Sequence, residues 1–202
     1  VRTFLSTELD EVAASLGAGD VIAIPTDTVY GLAASLRVPD AVRRLFVAKG
    51  RPESVPLPVL CASLDDVVSL VGGLDEEAHR LGSAWWPGPL TLVVSGPHSL
   101  CDLIGSSSDT VGVRIPSFAL TQELLSATGP LAVTSANLHG APPCTTASAV
   151  VDALAGTHVS GVLDGGLCAG TPSSVVEFVD GGLAVHREGA LSRVALLESL
   201  QD

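Results

Sequence analysis

Four polar segments interrupt an otherwise apolar chain, and their residue types suit the recognition of anions. Pro-Thr-Asp-Thr-Val-Tyr-Gly-Leu at 25–32 sets two hydroxyls, a carboxylate and a phenol directly after a buried apolar run, which is where open α/β sheets hold ligands. A capped turn around a core tyrosine accounts for the same residues equally well. Lys-Gly-Arg-Pro at 49–52 pairs a compact point charge with a bidentate fork, a combination that grips phosphates. At a helix C-terminus the same two cations would simply complement the helix dipole. Arg114 stands in the run Thr-Val-Gly-Val-Arg-Ile-Pro at 110–116. An unpaired buried guanidinium is costly, so Arg114 must reach solvent or an anion, either a substrate carboxylate or an internal partner. Leu-Ala-Val-Thr-Ser-Ala-Asn at 131–137 runs an apolar strand into hydroxyls and an amide, and Ser173, Ser174 and Arg187 add more of the same types.

Other chemistries fit less well. Ser135 and His139 do not form a nucleophile–base pair by sequence, because the Gly-x-Ser-x-Gly elbow is absent. Neither the Walker Gly-x-x-x-x-Gly-Lys-[Ser/Thr] pattern nor the dinucleotide Gly-x-Gly-x-x-Gly pattern occurs, so a nucleotide must be held by another scheme. Cys61, Cys101, Cys144 and Cys168 are widely spaced, with no zinc-ligand pattern; they read as reduced, buried thiols of a cytoplasmic protein. The 202 residues carry a net charge of −12, with 47% hydrophobic and 16% charged residues. That balance disfavours a broad nucleic-acid coat but permits a local cationic cleft. Folded, the chain should expose roughly 8,800 Å² and bury most of its apolar surface. No apolar run is long enough to cross a bilayer. Nine of the ten cations are Arg; the single Lys is Lys49.

The elements that must position these residues alternate. Apolar spacing predicts helices over 7–16, 40–48, 64–71, 75–85, 117–126, 146–154 and 193–200. Short apolar runs predict strands at 21–24, 29–36, 57–61, 90–95, 110–115, 131–134 and 161–163. An antiparallel pair, 175–179 with 183–187, is expected around Asp180-Gly181-Gly182. The expectation is α/β: a twisted mixed parallel and antiparallel sheet flanked by helices, in one domain over 1–202.

Taken together, the segments at 25–32, 49–52, 113–116 and 134–137, with Trp-Pro-Gly-Pro-Leu-Thr at 86–91, resemble those of YrdC-like proteins, the threonylcarbamoyl-AMP synthases, in the same order. Each motif is weak alone; five in order over most of the chain are specific. The resemblance implies a YrdC-like fold with a central cleft, in its single-domain form. It implies an enzyme, a nucleotidyltransferase. L-threonine, bicarbonate or CO₂, and ATP with Mg²⁺ give threonylcarbamoyl-AMP and pyrophosphate, for a downstream threonylcarbamoyl transferase complex that modifies tRNA; tRNA itself is then only an indirect partner. By position, Lys49, Arg51, Ser135 and Asn137 match the family's catalytic signature, and Thr28, Arg114, Thr134 and Ser173 match threonine-binding positions. Thr110, Ala136, Cys144 and Arg187, with Lys49 and Arg51, match the ATP site, Thr110 and Ala136 through backbone atoms. Leu60, Val55 and Cys144 depart from the family's usual His, polar residue and Ser, which bears on amino-acid selectivity. An alternative is a YrdC-like RNA- or nucleotide-binding module without synthase activity. Lys49→Ala and Arg51→Ala are expected to abolish turnover with little change in stability.

Overall fold

Short apolar runs bounded by Gly, Pro and polar residues become strands because a few β-branched or aliphatic residues suffice when both sheet faces are buried. The computed structural model describes residues 1–50, 55–138 and 140–201; Arg51 and His139 lie outside the described residues. The strands are β1 (Arg2–Phe4), β2 (Ile22–Ile24), β3 (Gly31–Ser35), β4 (Val59–Leu60), β5 (Leu90–Ser95), β6 (Thr110–Arg114), β7 (Leu131–Ser135), β8 (Gly161–Leu163), β9 (Ser174–Val179) and β10 (Gly182–Arg187). The helices are α1 (Leu9–Gly17), α2 (Pro39–Lys49), α3 (Leu64–Val71), α4 (Glu76–Trp85), α5 (His98–Ile104), α6 (Ala119–Thr128), α7 (Ala147–Ala153) and α8 (Arg193–Glu198). Capping explains several starts: Ser63, Asp75, Thr146 and Ser192 each accept a backbone N–H from the first turn of the helix that follows.

Two elements escape the sequence expectation. Strand β1 has three residues and buries only Phe4, too little for an alternation to register. Helix α5 runs for seven residues between Pro97 and a left-handed Gly105, and it buries Leu100, Cys101 and Ile104 against the core.

All ten strands form one sheet in the order β1-β8-β2-β3-β7-β4-β6-β5-β9-β10. Pairs β1/β8, β2/β8, β4/β6 and β5/β9 are parallel, and the remaining neighbours are antiparallel. The mixed sheet expected from the hairpin is therefore present, and the hairpin itself is β9–β10. The chain exposes 8873 Å², against roughly 8,800 Å² expected for its mass.

Side-chain alternation divides the core between the two faces. One cluster takes Ala23, Leu32, Ala34, Val59, Val111, Val113 and Ala132 from the sheet and is covered by α2, α3, α4, α5, α7 and α8. The other takes Ile22, Ile24, Ala33, Leu60, Leu131 and Val133 and is covered by α1 and α6. None of the second cluster's residues comes from β5, β6, β9 or β10. Over those strands the second face instead carries Thr110, Gly112 and Arg114 of β6, with Thr91 of β5 one register step beyond the Leu92–Val113 pair. This uncovered half-face is where polar side chains can meet a ligand.

The loop after β10 closes that region by close backbone approach. A Cβ on Gly189 would lie 2.3 Å from the Pro172 carbonyl oxygen and 2.6 Å from that of Ser173. Ser174, fully buried, fastens the same loop by accepting the Gly189 and Leu191 N–H groups and donating to the Leu191 carbonyl. Gly189→Ala is expected to destabilise the fold by about 1–3 kcal/mol, because the obstruction is backbone that cannot turn aside. The measurement is the urea midpoint, shifted down with an unchanged slope.

Candidate active site

Helix α2 begins with Pro39 in its first turn and ends at Gly50, whose φ of 60° is left-handed and whose N–H caps the Phe46 and Val47 carbonyls. The last residue before that cap is Lys49, and its ammonium does not stay with the helix. It crosses to the end of β7 and donates to the Ser135 carbonyl at 2.5 Å, the Ser135 hydroxyl at 2.8 Å and Asn137 Oδ1 at 2.6 Å. Lys49 is buried. Asn137 is oriented in turn by donating Nδ2 to the Leu138 and Ala141 carbonyls. The two readings of the Lys-Gly-Arg segment are thereby separated for Lys49: its ammonium is delivered to the polar end of β7 rather than spent on its own helix terminus.

Arg114, the last residue of β6, is the second centre. Its Nε donates to the Gly88 carbonyl at 3.0 Å, Nη1 to the Thr28 hydroxyl at 2.9 Å and Nη2 to Asp27 Oδ1 at 2.6 Å. The internal partner left open by the sequence is thus Asp27, which also accepts the Ser117 N–H at 3.1 Å. Thr26 sets the loop: it donates its one hydroxyl proton to the Val29 carbonyl and accepts the Thr28 and Val29 N–H groups. In its 2.9 Å contact with Thr28 it must therefore accept, so Thr28 donates to Thr26 and receives from Arg114. Burial lowers the pKa of Arg114, Asp27 opposes that fall, and the neighbouring Arg187 adds to it; an arginine stays charged regardless.

A third group continues along the uncovered face. The Thr91 and Ser173 hydroxyls are 2.9 Å apart. Arg187 donates Nε to the Ser173 carbonyl and Nη2 to the Ser173 hydroxyl, at 2.9 and 3.1 Å. A register shift between Val185 and Arg187 places that arginine.

The loop 25–30 ties the centres together. The Ala136 N–H donates to the Tyr30 carbonyl, the Tyr30 N–H to the Cys144 carbonyl, and the Cys144 N–H to the Ala136 carbonyl at 3.4 Å. Thr28 faces Arg114 two residues earlier, and Lys49 is near enough to act on the Cys144 thiol. Thr110 sits level with Ser135 when the register is counted through β4, since Val59 faces both Val113 and Ala132. Its hydroxyl lies 2.9 Å from that of Ser108. Thr134 is buried on the face of β7 opposite to Ser135, facing Leu32 of β3 in register.

Lys49, Ser135, Asn137, Cys144 and Ala136 therefore form one group, and Thr28, Arg114, Ser173 and Arg187 a second. Thr110 lies at the far end of β6 from Arg114, about 13 Å away at the usual strand rise. Asp27, Thr26 and Thr91 were not among the expected site residues. The signal that reaches them is the need of a buried Arg114 for a carboxylate and of a strand hydroxyl for a partner. All four cysteines are free and buried. Burial pushes the Cys61 thiol up to about 12 and raises the other three. The same cause takes Tyr30 to about 12, with its hydroxyl donating to the Gly166 carbonyl and accepting the Gly165 N–H. Among the described residues no helix is long and apolar enough to cross a membrane.

A mixed sheet with buried Lys49 at the end of β7 and buried Arg114 at the end of β6 defines an α/β protein with a polar, cation-bearing candidate site. The sequence matches the Sua5_yciO_yrdC family, described as "Telomere recombination", over residues 14–189; the chain belongs to this family. It is 36% identical over 189 residues to the threonylcarbamoyl-AMP synthase of Bacillus subtilis, covering 92% of this chain and 54% of that protein. The fold matches Pyrococcus abyssi Sua5 complexed with L-threonine at a TM-score of 0.91 and 32% identity, over 98% of this chain and 60% of the other. It also matches Escherichia coli YciO at 0.85 and 25% identity, over 94% and 96%. The chain spans about half the length of the Bacillus relative.

For Lys49→Ala the geometry leads to a larger expected stability effect than the sequence alone. Lys49→Ala leaves a carbonyl, a hydroxyl and an amide oxygen without a charged donor, and is expected to cost about 1–3 kcal/mol, read as a lower urea midpoint. Tyr30 gives an optical check, being the only tyrosine. Its folded pKa lies above the unfolded value, so its contribution to stability is complete below pH 10 and lost as pH rises toward about 12. Near-ultraviolet phenolate absorbance should titrate near 12 in the folded chain and near 10 in denaturant.

Proposed function

We propose that this chain is an L-threonylcarbamoyladenylate synthase, converting L-threonine, bicarbonate or CO₂, and ATP to threonylcarbamoyl-AMP and pyrophosphate. One observation carries the reading. Two buried cations lie on either side of the loop 25–30: Arg114 is held by Asp27 and Thr28 of that loop, and Lys49 by Ser135 and Asn137, which the Ala136 N–H to Tyr30 carbonyl bond ties to the same loop. The family membership and the named relatives support it.

In this reading Arg114 receives the threonine carboxylate and Thr28, whose hydroxyl is engaged with Thr26 and Arg114, orients that guanidinium, with Thr134 and Ser173 assigned to the same substrate. Threonine binds as the ammonium and loses one proton to water or bicarbonate to become the neutral amine. The amine adds to CO₂ with loss of a second proton to give a carbamate, whose oxygen attacks the α-phosphorus of ATP while pyrophosphate leaves. The carbamate is labile, so holding it in line beside the phosphorus and away from water supplies much of the acceleration. Lys49, kept in place by Ser135 and Asn137, stabilises charge developing on the phosphates. Arg51, two residues further along the sequence, is assigned the fork on the same phosphates. Thr110, Ala136, Cys144 and Arg187 line the nucleotide. The Ala136 N–H is donated to Tyr30 and its carbonyl accepts the Cys144 N–H at 3.4 Å, so the second lone pair of that carbonyl is the backbone acceptor assigned to ATP. Mg²⁺ enters with ATP as the substrate complex, coordinated mainly by phosphate oxygens and water. No side chain is required as a covalent nucleophile.

The product is assigned to a separate transferase complex acting on tRNA in the cytoplasm. A chain with net charge −12 is poorly suited to grip tRNA broadly.

Incubation with MgATP, bicarbonate and labelled L-threonine should release pyrophosphate in a threonine-dependent manner and yield labelled adenylate. Lys49→Ala should lower turnover at least about 100-fold at a temperature where the variant is folded. Folded protein that releases no threonine-dependent pyrophosphate, yet binds RNA tightly, would overturn the synthase reading in favour of a binding module.

A further inference from the structure

Asp27 has no place in the site assignments above beyond holding Arg114, yet its carboxylate is only half used. Both of its hydrogen bonds, from Arg114 Nη2 and from the Ser117 N–H, fall on Oδ1. Among the described residues Oδ2 accepts none, and the side chain keeps 15% exposure. The partner cation is also only partly used. A guanidinium has five N–H donors, and Arg114 spends three, one each from Nε, Nη1 and Nη2. Two remain, one on each terminal nitrogen.

The pair therefore presents spare donors of a fixed cation beside a spare oxygen of a fixed anion, the two groups being 2.6 Å apart. A plain carboxylate or a phosphate can use only the donors. A free amino acid carries its carboxylate and its ammonium on the same carbon, so it needs an anion receiver and a cation receiver in direct contact. Arg114 with Asp27 meets that need, and the Ser117 N–H on Oδ1 keeps the carboxylate from turning when a ligand arrives. Asp27 also halves the local positive charge around Arg114 and Arg187, which lowers affinity for small anions lacking an ammonium group.

We infer that Asp27 is a substrate-binding and specificity-determining residue: Oδ2 receives the α-ammonium of the amino acid whose carboxylate Arg114 receives. The inference rests on the threonine reading above and adds to it the group that distinguishes an amino acid from other small carboxylates.

The test is calorimetric titration of the whole chain with L-threonine and with 2,3-dihydroxybutanoate, the same molecule with a hydroxyl in place of the ammonium. The unaltered chain should favour threonine by about 10- to 100-fold, the worth of one charge-assisted hydrogen bond. Asp27→Asn keeps an oxygen for Arg114 and Ser117 but replaces Oδ2 by a donor, so its two affinities should converge while ATP affinity is unchanged. A merely structural role would weaken both ligands together and preserve their ratio, and that outcome overturns the inference. Equal binding of the two ligands by the unaltered chain overturns it as well, without recourse to a variant. Failure of the unaltered chain to bind threonine at all counts instead against the synthase reading on which the inference stands.

Discussion

A guanidinium taken out of water must keep an anion and hydrogen-bond acceptors beside it, and the position of Arg114 makes that constraint the organiser of the site. It sits in the last position of a strand whose alternate residues are core valines, so it cannot swing to solvent without leaving the sheet. Its partners come from two separate stretches, the Gly88 carbonyl before β5 and Thr28 and Asp27 in the loop after β2, and Asp27 is in turn anchored by a third, at Ser117 after β6. Loss of the cation would leave the partly buried Asp27 carboxylate with the Ser117 N–H as its only donor among the described residues, and the Thr28 hydroxyl without its charged donor, at a cost larger than the net worth of the pair itself. The loop 25–30 is therefore held by electrostatics on one side and by backbone bonds to Ala136 and Cys144 on the other.

The sheet makes this economical because its two faces are treated differently along its width. Strands β2, β3, β4, β7 and β8 are buried between helical layers, whereas β5, β6, β9 and β10 lack the α1–α6 cover on one face. Polar residues at every second position of β6 would be a fault in the first half and are an asset in the second. Gly112, lying between Thr110 and Arg114, contributes no side chain to the lane between them. The hairpin β9–β10 then folds Arg187 back over Ser173, which adds a further cation without adding another buried strand.

Much of this was legible in the sequence. Strands β5 and β8 and helix α3 fall where the apolar runs and turn residues put them, because each is bounded by Gly, Pro, Asp or a capping Ser. The mixed sheet followed from Asp180-Gly181-Gly182 alone, since that turn can only join antiparallel neighbours. Strand β1 and helix α5 were not legible, as they are short and owe their form to tertiary contacts rather than to local pattern. At the site, Lys49, Ser135 and Asn137 were found as motif members, and the structure adds that they touch. Asp27 stood in a quoted motif without a role, because a one-dimensional pattern does not say which of two carboxylate oxygens a distant arginine will occupy.

The solitary lysine has a chemical meaning of its own. Lys49 is the only side-chain amine in this sequence, and in the folded chain its hydrogens are directed at three oxygens of Ser135 and Asn137. An amine so engaged has no lone pair to offer, since acylation needs the neutral, released form. The rate at which an acylating reagent marks that side chain is therefore a clock for how often α2 and the end of β7 part company, read at one position with no background from other lysines.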